Sequence, residues 1–309
     1  MTDRSFHVEQ YTTETLDRCP LCGADGPRPS VQVEDHSISH ERFQLMDCGT
    51  CGFRFTNPRP GPQAIGRYYE SDDYISHSNT RRTLSDRLYQ LARRWALKRK
   101  HALVAAHRTN GRVLDVGCGT GEFLGHLKQK GYLVTGVEPA LKAREQAIAH
   151  HAIPVLPNLD QVPGREQFNV VTLWHVLEHL PDLRGTLKRL YALTADDGLL
   201  VIAVPDRESW DAQHYGSVWA AYDVPRHFSH FRRSDIHRLA TEHGFEPIAV
   251  RPMWLDAPYI ALLSERYRGH GPLMALLRGV LFGTWSNLMS AVSDRPTSSS
   301  LYLFRKAAV

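Results

Sequence analysis

From residue 112 onward the chain alternates short apolar runs with amphipathic stretches. Val113, Leu114 and Val116 make a run with no polar face, as a strand covered on both sides requires. Gly117, Gly119 and Gly121 follow it directly. Phe123, Leu124 and Leu127 then recur at helical spacing over residues 122–130, and Gly131 stops the helix. The same rhythm predicts strands at 132–137, 153–156, 168–174, 199–204, 245–251 and 299–306. It predicts helices at 140–151, at 183–193 with leucines at 183, 187, 190 and 193, and from Ser234 to His243. The turn Asp196-Asp197-Gly198 introduces the fifth strand. Such alternation marks an α/β chain with a largely parallel sheet covered by helices on both faces.

Three stretches break the rhythm. Residues 1–60 hold only short strand-like pieces, Ser30–Val33 and Arg42–Met46, and end at the stiff segment Asn57-Pro58-Arg59-Pro60-Gly61-Pro62. Residues 61–108 read as a helical linker or lid. A break at 71–77 precedes a helix over 84–107 that is basic, with Arg93, Arg94, Lys98, Arg99 and Lys100. Such a face is ordinarily solvated, and RNA or an acidic membrane is the sharper reading. The rest, 109–309, reads as one domain in which 205–231 is aromatic and histidine-rich and 254–294 is an apolar helical insertion before the last strand. The insertion packs on the sheet, on a second copy of the chain as a homodimer, or over a lipid-like acceptor.

Composition narrows the picture modestly. The 309 residues are 42% hydrophobic and 23% charged, with net charge +4, which requires no nucleic-acid partner. The most apolar late stretch, 272–285, is interrupted by Arg278 and too short for a transmembrane segment, and Met1–Ser5 carries no targeting signal. A cytoplasmic protein is expected. Four of the five cysteines form two matched pairs, Cys19-Pro-Leu-Cys22-Gly and Cys48-Gly-Thr-Cys51-Gly. Two such knuckles suit one tetrahedral, closed and therefore structural Zn2+ site. The fifth, Cys118, reads as a small buried residue inside the glycine turn.

The glycine turn predicts a ligand lying against the main chain. Glu138 ends the next strand, 21 residues after Gly117, where a carboxylate can accept from ribose hydroxyls. Asn158-Leu159 ends the third strand, on the side of an adenine ring. A dinucleotide and S-adenosylmethionine both fit this much. Spacing separates them, because the run is Asp115-x-Gly117-x-Gly119-x-Gly121 rather than G-x-G-x-x-G. An acid beside the turn suits an ammonium group and repels a phosphate.

Asp115 to Gly121, Glu138-Pro139 and Leu173-Trp174-His175-Val176-Leu177-Glu178-His179-Leu180-Pro181-Asp182 resemble class I S-adenosylmethionine-dependent methyltransferases over roughly residues 110–250. The resemblance implies a Rossmann-like seven-stranded sheet with an antiparallel last strand. It implies a cofactor site built from Asp115, Gly117, Cys118, Gly119, Gly121, Glu138, Pro139, Asn158, Leu159, Trp174 and His175. The cysteine knuckles and Asp223-Val224-Pro225-Arg226-His227-Phe228 are similar to methyltransferases with an N-terminal zinc ribbon, among them sugar C-methyltransferases. That likeness implies catalytic roles for His179, His227 and a lid tyrosine at Tyr74. Arg226 stands where the sugar enzymes place a carboxylate, and their extra C-terminal domain is not expected here.

His175-Val-Leu-Glu178-His179 also matches H-x-x-E-H, a zinc-protease signature, but no third ligand accompanies it. Methyl transfer to a hydroxyl or carbon acid needs a base, and His179 or His227 suits that near neutral pH. Tyr222, Arg226 and His230 are then expected to contact a small-molecule acceptor, a sugar, nucleotide-sugar or secondary metabolite. The rival readings are an RNA methyltransferase using the ribbon and the basic helix, and a lipid-like or quinone acceptor.

Overall fold

The computed structural model describes residues 13–69, 84–165 and 167–307, with side chains from residue 95 onward in the helix that starts at Leu84. Tyr74 and the expected break at 71–77 lie outside the described residues.

The N-terminal strands are Thr13–Glu14 (β1), Arg28–Glu34 (β2), Arg42–Asp47 (β3), Arg54–Thr56 (β4) and Arg59–Pro60 (β5). Helix α1 spans Leu84–Ala105. The expected alternation then appears: β6 (Arg112–Val116), α2 (Glu122–Gln129), β7 (Leu133–Val137), α3 (Leu141–His151), β8 (Val155–Leu156), β9 (Phe168–Trp174), α4 (Leu183–Leu193) and β10 (Thr194–Pro205). After it come α5 (Trp210–Tyr215), β11 (Ser229–His230), α6 (Arg233–Thr241), β12 (Phe245–Pro252), α7 (Asp256–Tyr267), α8 (Pro272–Val292) and β13 (Ser299–Lys306).

Seven strands form one mixed sheet in the order β12-β13-β10-β9-β6-β7-β8. β13 is antiparallel to both of its neighbours, and β6 to β10 run parallel. Chain order reverses at β6, between β7 and β9, and α/β sheets bind ligands at the carboxyl edge of such a reversal. The central strands are apolar because helices cover both faces. Leu114, Leu173, Ile202 and Tyr302 pack one way against α4 and α6, while Val113, Val170, Val201 and Leu303 pack the other way against α2. The anticipated Asp196–Gly198 turn is instead part of β10. The strand begins at Thr194, the register with β9 shifts between Thr194 and Leu199, and Asp197 takes φ 57°.

The N-terminal 60 residues are less separate than the linker at 57–62 suggests. Their sheet runs β11-β4-β3-β2, so its edge strand comes from residues 229–230. Phe53 and Phe55 join the same hydrophobic core as α4 and α6, and the Phe53 and Phe231 rings lie 5.6 Å apart. The 254–294 insertion is the hairpin α7–α8, as its apolar pattern predicts.

Candidate active site

β6 delivers Asp115 and then turns sharply. Gly117, Gly119 and Gly121 all have positive φ, 71°, 54° and 77°. A Cβ on Gly117 would come within 2.4 Å of Val176 Cγ2, and one on Gly121 within 2.8 Å of Ala147 Cβ. A Cβ on Gly119 would meet nothing within 4 Å, so the main chain there faces open space. Two of the glycines therefore serve packing, and one leaves room for a ligand.

Carboxylates flank this opening. Asp115 is buried and accepts from Thr172 Oγ1 at 2.6 Å, its partner across the β6–β9 register. Burial pushes its pKa up to about 6, against the pull of Thr172 and Lys100. Glu138 accepts from Gly119 N and Ala140 N, both at 2.9 Å, which fixes its two oxygens at the end of β7. Pro139 follows at the start of the turn into α3. Cys118 is buried under the turn, and its Sγ would lie 2.6 Å from a Cβ on Gly136.

Trp174 ends β9 and stacks edge-on against Phe123, with ring centroids 5.7 Å apart. Its Nε1 is buried without a hydrogen-bond partner. Lys100 Nζ sits 4.2 Å from the centre of its ring and is held in the field of Asp115 and Asp256. His175 takes φ 56°, and its Nε2 lies 3.1 Å from Asp256 Oδ2. Desolvation pulls His175 down, but Asp256 and Glu178 together push it up to about 10. The Asn158 side chain, expected beside an adenine, accepts from Gln161 N at 3.0 Å and caps the turn carrying Leu159.

The second group of sequence-selected residues converges beyond β9 and β10. The His179 and His227 rings meet edge to face, 4.5 Å apart. His179 Nδ1 lies 3.1 Å from the Arg226 carbonyl and 3.0 Å from Tyr69 Oη. His227 Nδ1 lies 2.9 Å from the Ala221 carbonyl. A carbonyl only accepts, so both Nδ1 atoms carry the hydrogen, and Nε2 is the position on each ring where a proton is gained or lost. Glu178 is 1% exposed and neither of its oxygens has a hydrogen-bond partner, although His175 Nδ1 lies 3.5 Å from Oε1. Burial would raise it, yet the three histidines hold it below the ordinary carboxylate range. Burial and His227 push His179 down to about 4.

The three expected acceptor contacts are engaged elsewhere. Tyr222 Oη accepts from Arg54 at 2.9 Å. Arg226 is 1% exposed and spends its donors on Asp35, Asp223 and the Tyr68 carbonyl. His230 Nε2 lies 3.1 Å from Thr56 Oγ1, which itself donates to the His227 carbonyl at 2.8 Å. Each therefore fastens the 220–230 loop to the N-terminal strands. Arg226 in particular has no face left for an anionic acceptor.

A methyltransferase-domain family model matches residues 87–250, more than half of the chain. The chain belongs to that family. It is 30% identical over 158 residues to the ubiquinone biosynthesis O-methyltransferase of Bordetella bronchiseptica, which covers 46% of this chain and 65% of that protein. It is 32% identical over 117 residues to that of Bradyrhizobium diazoefficiens, which covers 36% of this chain and 46% of that protein. The chain thus spans about half to two thirds of the length of these curated relatives. Phosphoethanolamine N-methyltransferase 2 of Haemonchus contortus, solved with S-adenosyl-L-methionine, matches over 82% of this chain and 63% of its own at TM-score 0.51 and 17% identity. That likeness shows the fold alone.

The methyltransferase domain also supports the four-cysteine cluster. Cys19 Sγ is 3.7 Å from Cys51 Sγ, and Cys22 Sγ is 3.6 Å from Cys48 Sγ. Those distances are too long for a disulfide and match the edge of a tetrahedron with metal–sulfur bonds of about 2.3 Å, roughly 3.8 Å. Gly23 and Gly52 turn each knuckle at φ 76° and 72° and donate to Cys19 O and Cys48 O. The methyltransferase side supplies Arg184 to Leu21 O, Arg207 to Gly52 O and Arg232 to Cys51 O.

Sequence reading assigned no site role to Lys100, Asp256, Asp223, Asp35 or Tyr69, although Asp223 falls within the 223–228 motif. Lys100 had a weak signal, as a lysine among the apolar positions of α1. Asp256, Asp35 and Tyr69 come from distant segments and carried none.

Proposed function

We propose that the protein transfers a methyl group from S-adenosylmethionine to a small-molecule acceptor, a sugar, nucleotide-sugar or secondary metabolite. The observation that carries the acceptor side is the histidine pair, a half-buried and a buried imidazole in ring contact whose Nδ1 hydrogens are tied to carbonyls, which leaves proton exchange to Nε2.

The cofactor fits the glycine cleft. Open space over Gly119, an ionisable acid at Asp115, a fixed carboxylate at Glu138 and the unpartnered Trp174 Nε1 are complementary to a zwitterionic amino acid joined to a nucleoside. Asp115 would hold its ammonium, Glu138 its ribose hydroxyls, and Trp174 and His175 the wall. When bound, the cofactor supplies an electrophilic methyl on a sulfonium. The protein's remaining task is to align an acceptor and take its proton.

We assign the base to His227 and a positioning role to His179. An imidazolium formed on His227 has Asp223 Oδ2 3.8 Å from Nε2. One formed on His179 is disfavoured by burial and by His227 itself. The four cysteines would hold a structural Zn2+, since four thiolates close the shell and leave no open position.

A second acceptor class, lipid-like or quinone, is supported by the relatives named for ubiquinone biosynthesis and by the exposed apolar face of α8. The deciding assay follows labelled methyl from S-adenosylmethionine into sugar, nucleotide-sugar and polyprenyl-phenol panels. Calorimetry with the cofactor runs beside it. Cofactor binding with no transfer to any panel would defeat the acceptor assignment, and no cofactor binding would defeat the enzyme itself.

A further inference from the structure

α8 is built inside out. Its inward stripe is small and buried, with Ala275, Gly279, Gly283 and Ser286, the last donating to Asp211 of α5. A Cβ on Gly279 would lie 2.5 Å from Leu262 Cα, and one on Gly283 2.3 Å from Pro258 Cα, both in α7. The two backbones are therefore in contact, and α8 cannot rotate to hide larger residues. Its large side chains face out: Leu273 is 71% exposed, Leu277 59%, Leu281 63%, Trp285 45%, Leu288 46% and Val292 67%. At 100° per residue, the exposed apolar positions from Leu276 round to Trp285 sweep about half the helix circumference.

That width selects the occupant. A second helix laid along α8 covers a seam narrower than this arc. A helix resting at half depth in a lipid interface covers half its circumference. Charge agrees. The one charged residue of α8, Arg278, is turned inward to Glu265 at 2.7 Å. The acids within α7, Asp256 and Glu265, are tied to His175, and to Arg268, His270 and Arg278. Beside the face the exposed charges include Arg266 before it and the adjacent Asp294 and Arg295 after it, and none of the helix's own exposed positions is acidic. Trp254 and Tyr259 stay exposed on the same hairpin, as amphipathic rings do at a water–lipid boundary. No described helix is long and apolar enough to cross a membrane.

We propose that the outer face of α8 docks in the plane of a phospholipid leaflet. The inference stands apart from the identity of the acceptor. It does place the leaflet close to the chemistry, because Asp256, at the start of α7, is the ion-pair partner of His175 in the cofactor cleft.

The full chain is floated with phosphatidylcholine vesicles, with and without phosphatidylglycerol, and its self-association is followed by sedimentation. The wild type should float with the vesicles. Leu277→Glu/Leu281→Glu should lose more than about tenfold in vesicle affinity, since two large apolar side chains are lost from the interface and two charges are put in their place. Cofactor affinity by calorimetry should stay unchanged and show the variant folded. A single Leu281→Gln gives a milder loss in the same direction should the double variant fold poorly. Wild-type protein that does not float, or variants that float equally well, overturn the proposal. A wild-type dimer that these exchanges dissociate, with no vesicle binding, assigns the face to a second copy instead.

Discussion

His179 and His227 share a ring contact but differ in what stands behind their Nε2 atoms, and that difference predicts unequal losses. Asp223 can stabilise a proton arriving on His227, whereas His179 is held neutral down to about pH 4. His227→Gln should lower turnover by about 10²- to 10⁴-fold, the usual worth of a general base, with cofactor affinity intact. His179→Gln should cost about tenfold through misplacement of its neighbour. Equal losses, or none, in single-turnover assays would remove His227 from the role. Asp115 carries a second residue-scale prediction. Its folded pKa of about 6 is raised from 3.8, so its stabilising contribution is present in full below about pH 3.8 and is lost as pH rises through 6. At pH 7 the buried carboxylate costs the ligand-free fold up to about 3 kcal/mol. Asp115→Asn keeps the acceptor for Thr172 and should raise the melting temperature of the ligand-free protein at pH 7, with little change at pH 4. The same exchange should weaken cofactor binding by about tenfold or more, because the ammonium loses its counter-charge. A variant with unchanged stability at pH 7 would show that Lys100 already compensates the charge.

Elements impose a different test on the glycine turn and on the loop after β10. Gly117→Ala drives a Cβ into Val176, and Gly121→Ala drives one into Ala147, so both should lower stability by about 2 kcal/mol or more through clash and positive φ. Gly119→Ala meets no protein atom, so it should cost only about 1 kcal/mol of stability while weakening the cofactor strongly. Melting curves and calorimetry on the three variants separate packing from binding, and a Gly119 variant that binds normally would move the ligand off this turn. Arg226 belongs to the same scale, because it joins β2 to the histidine loop through Asp35. Removing one member of a buried ionic group leaves the others uncompensated, so Arg226→Met should destabilise by about 3–5 kcal/mol. A substrate-binding arginine would instead raise the KM for the acceptor and leave the melting temperature alone.

At the scale of the whole molecule, what the sequence makes legible depends on how far each residue's partner lies along the chain. The β6–glycine–α2 unit could be read directly, because a buried parallel strand needs an unbroken apolar run and a tight ligand turn needs glycine. The cysteine cluster could be read because each knuckle is local and the second repeats the first. The structural partners of the loop at 220–230 were not legible, for the opposite reason. The partners of Tyr222, His230 and Arg226 are 168, 174 and 191 residues away, and a polar side chain says that it needs a partner without saying which. The consequence is that the N-terminal strands brace the histidine loop proposed to serve the acceptor. β4 pairs with β11, Thr56 holds the His227 and Phe228 carbonyls, and three arginines of the methyltransferase side grip the cysteine knuckles. Removing the proposed zinc frees the knuckles, then β4, then the strand that follows His227. Chelation should therefore lower the melting temperature and cut turnover by more than about tenfold. The glycine cleft depends on β6 and β7 rather than on the ribbon sheet, so cofactor affinity should change less than about twofold. Re-addition of Zn2+ should restore turnover, and Cys48→Ser should reproduce the loss without a chelator. Metal content by emission spectroscopy, melting curves and cofactor calorimetry on one sample read the three effects apart. Zinc-free protein with full turnover would make the ribbon an independent module, and a parallel loss of cofactor affinity would make the coupling global unfolding rather than displacement of His227.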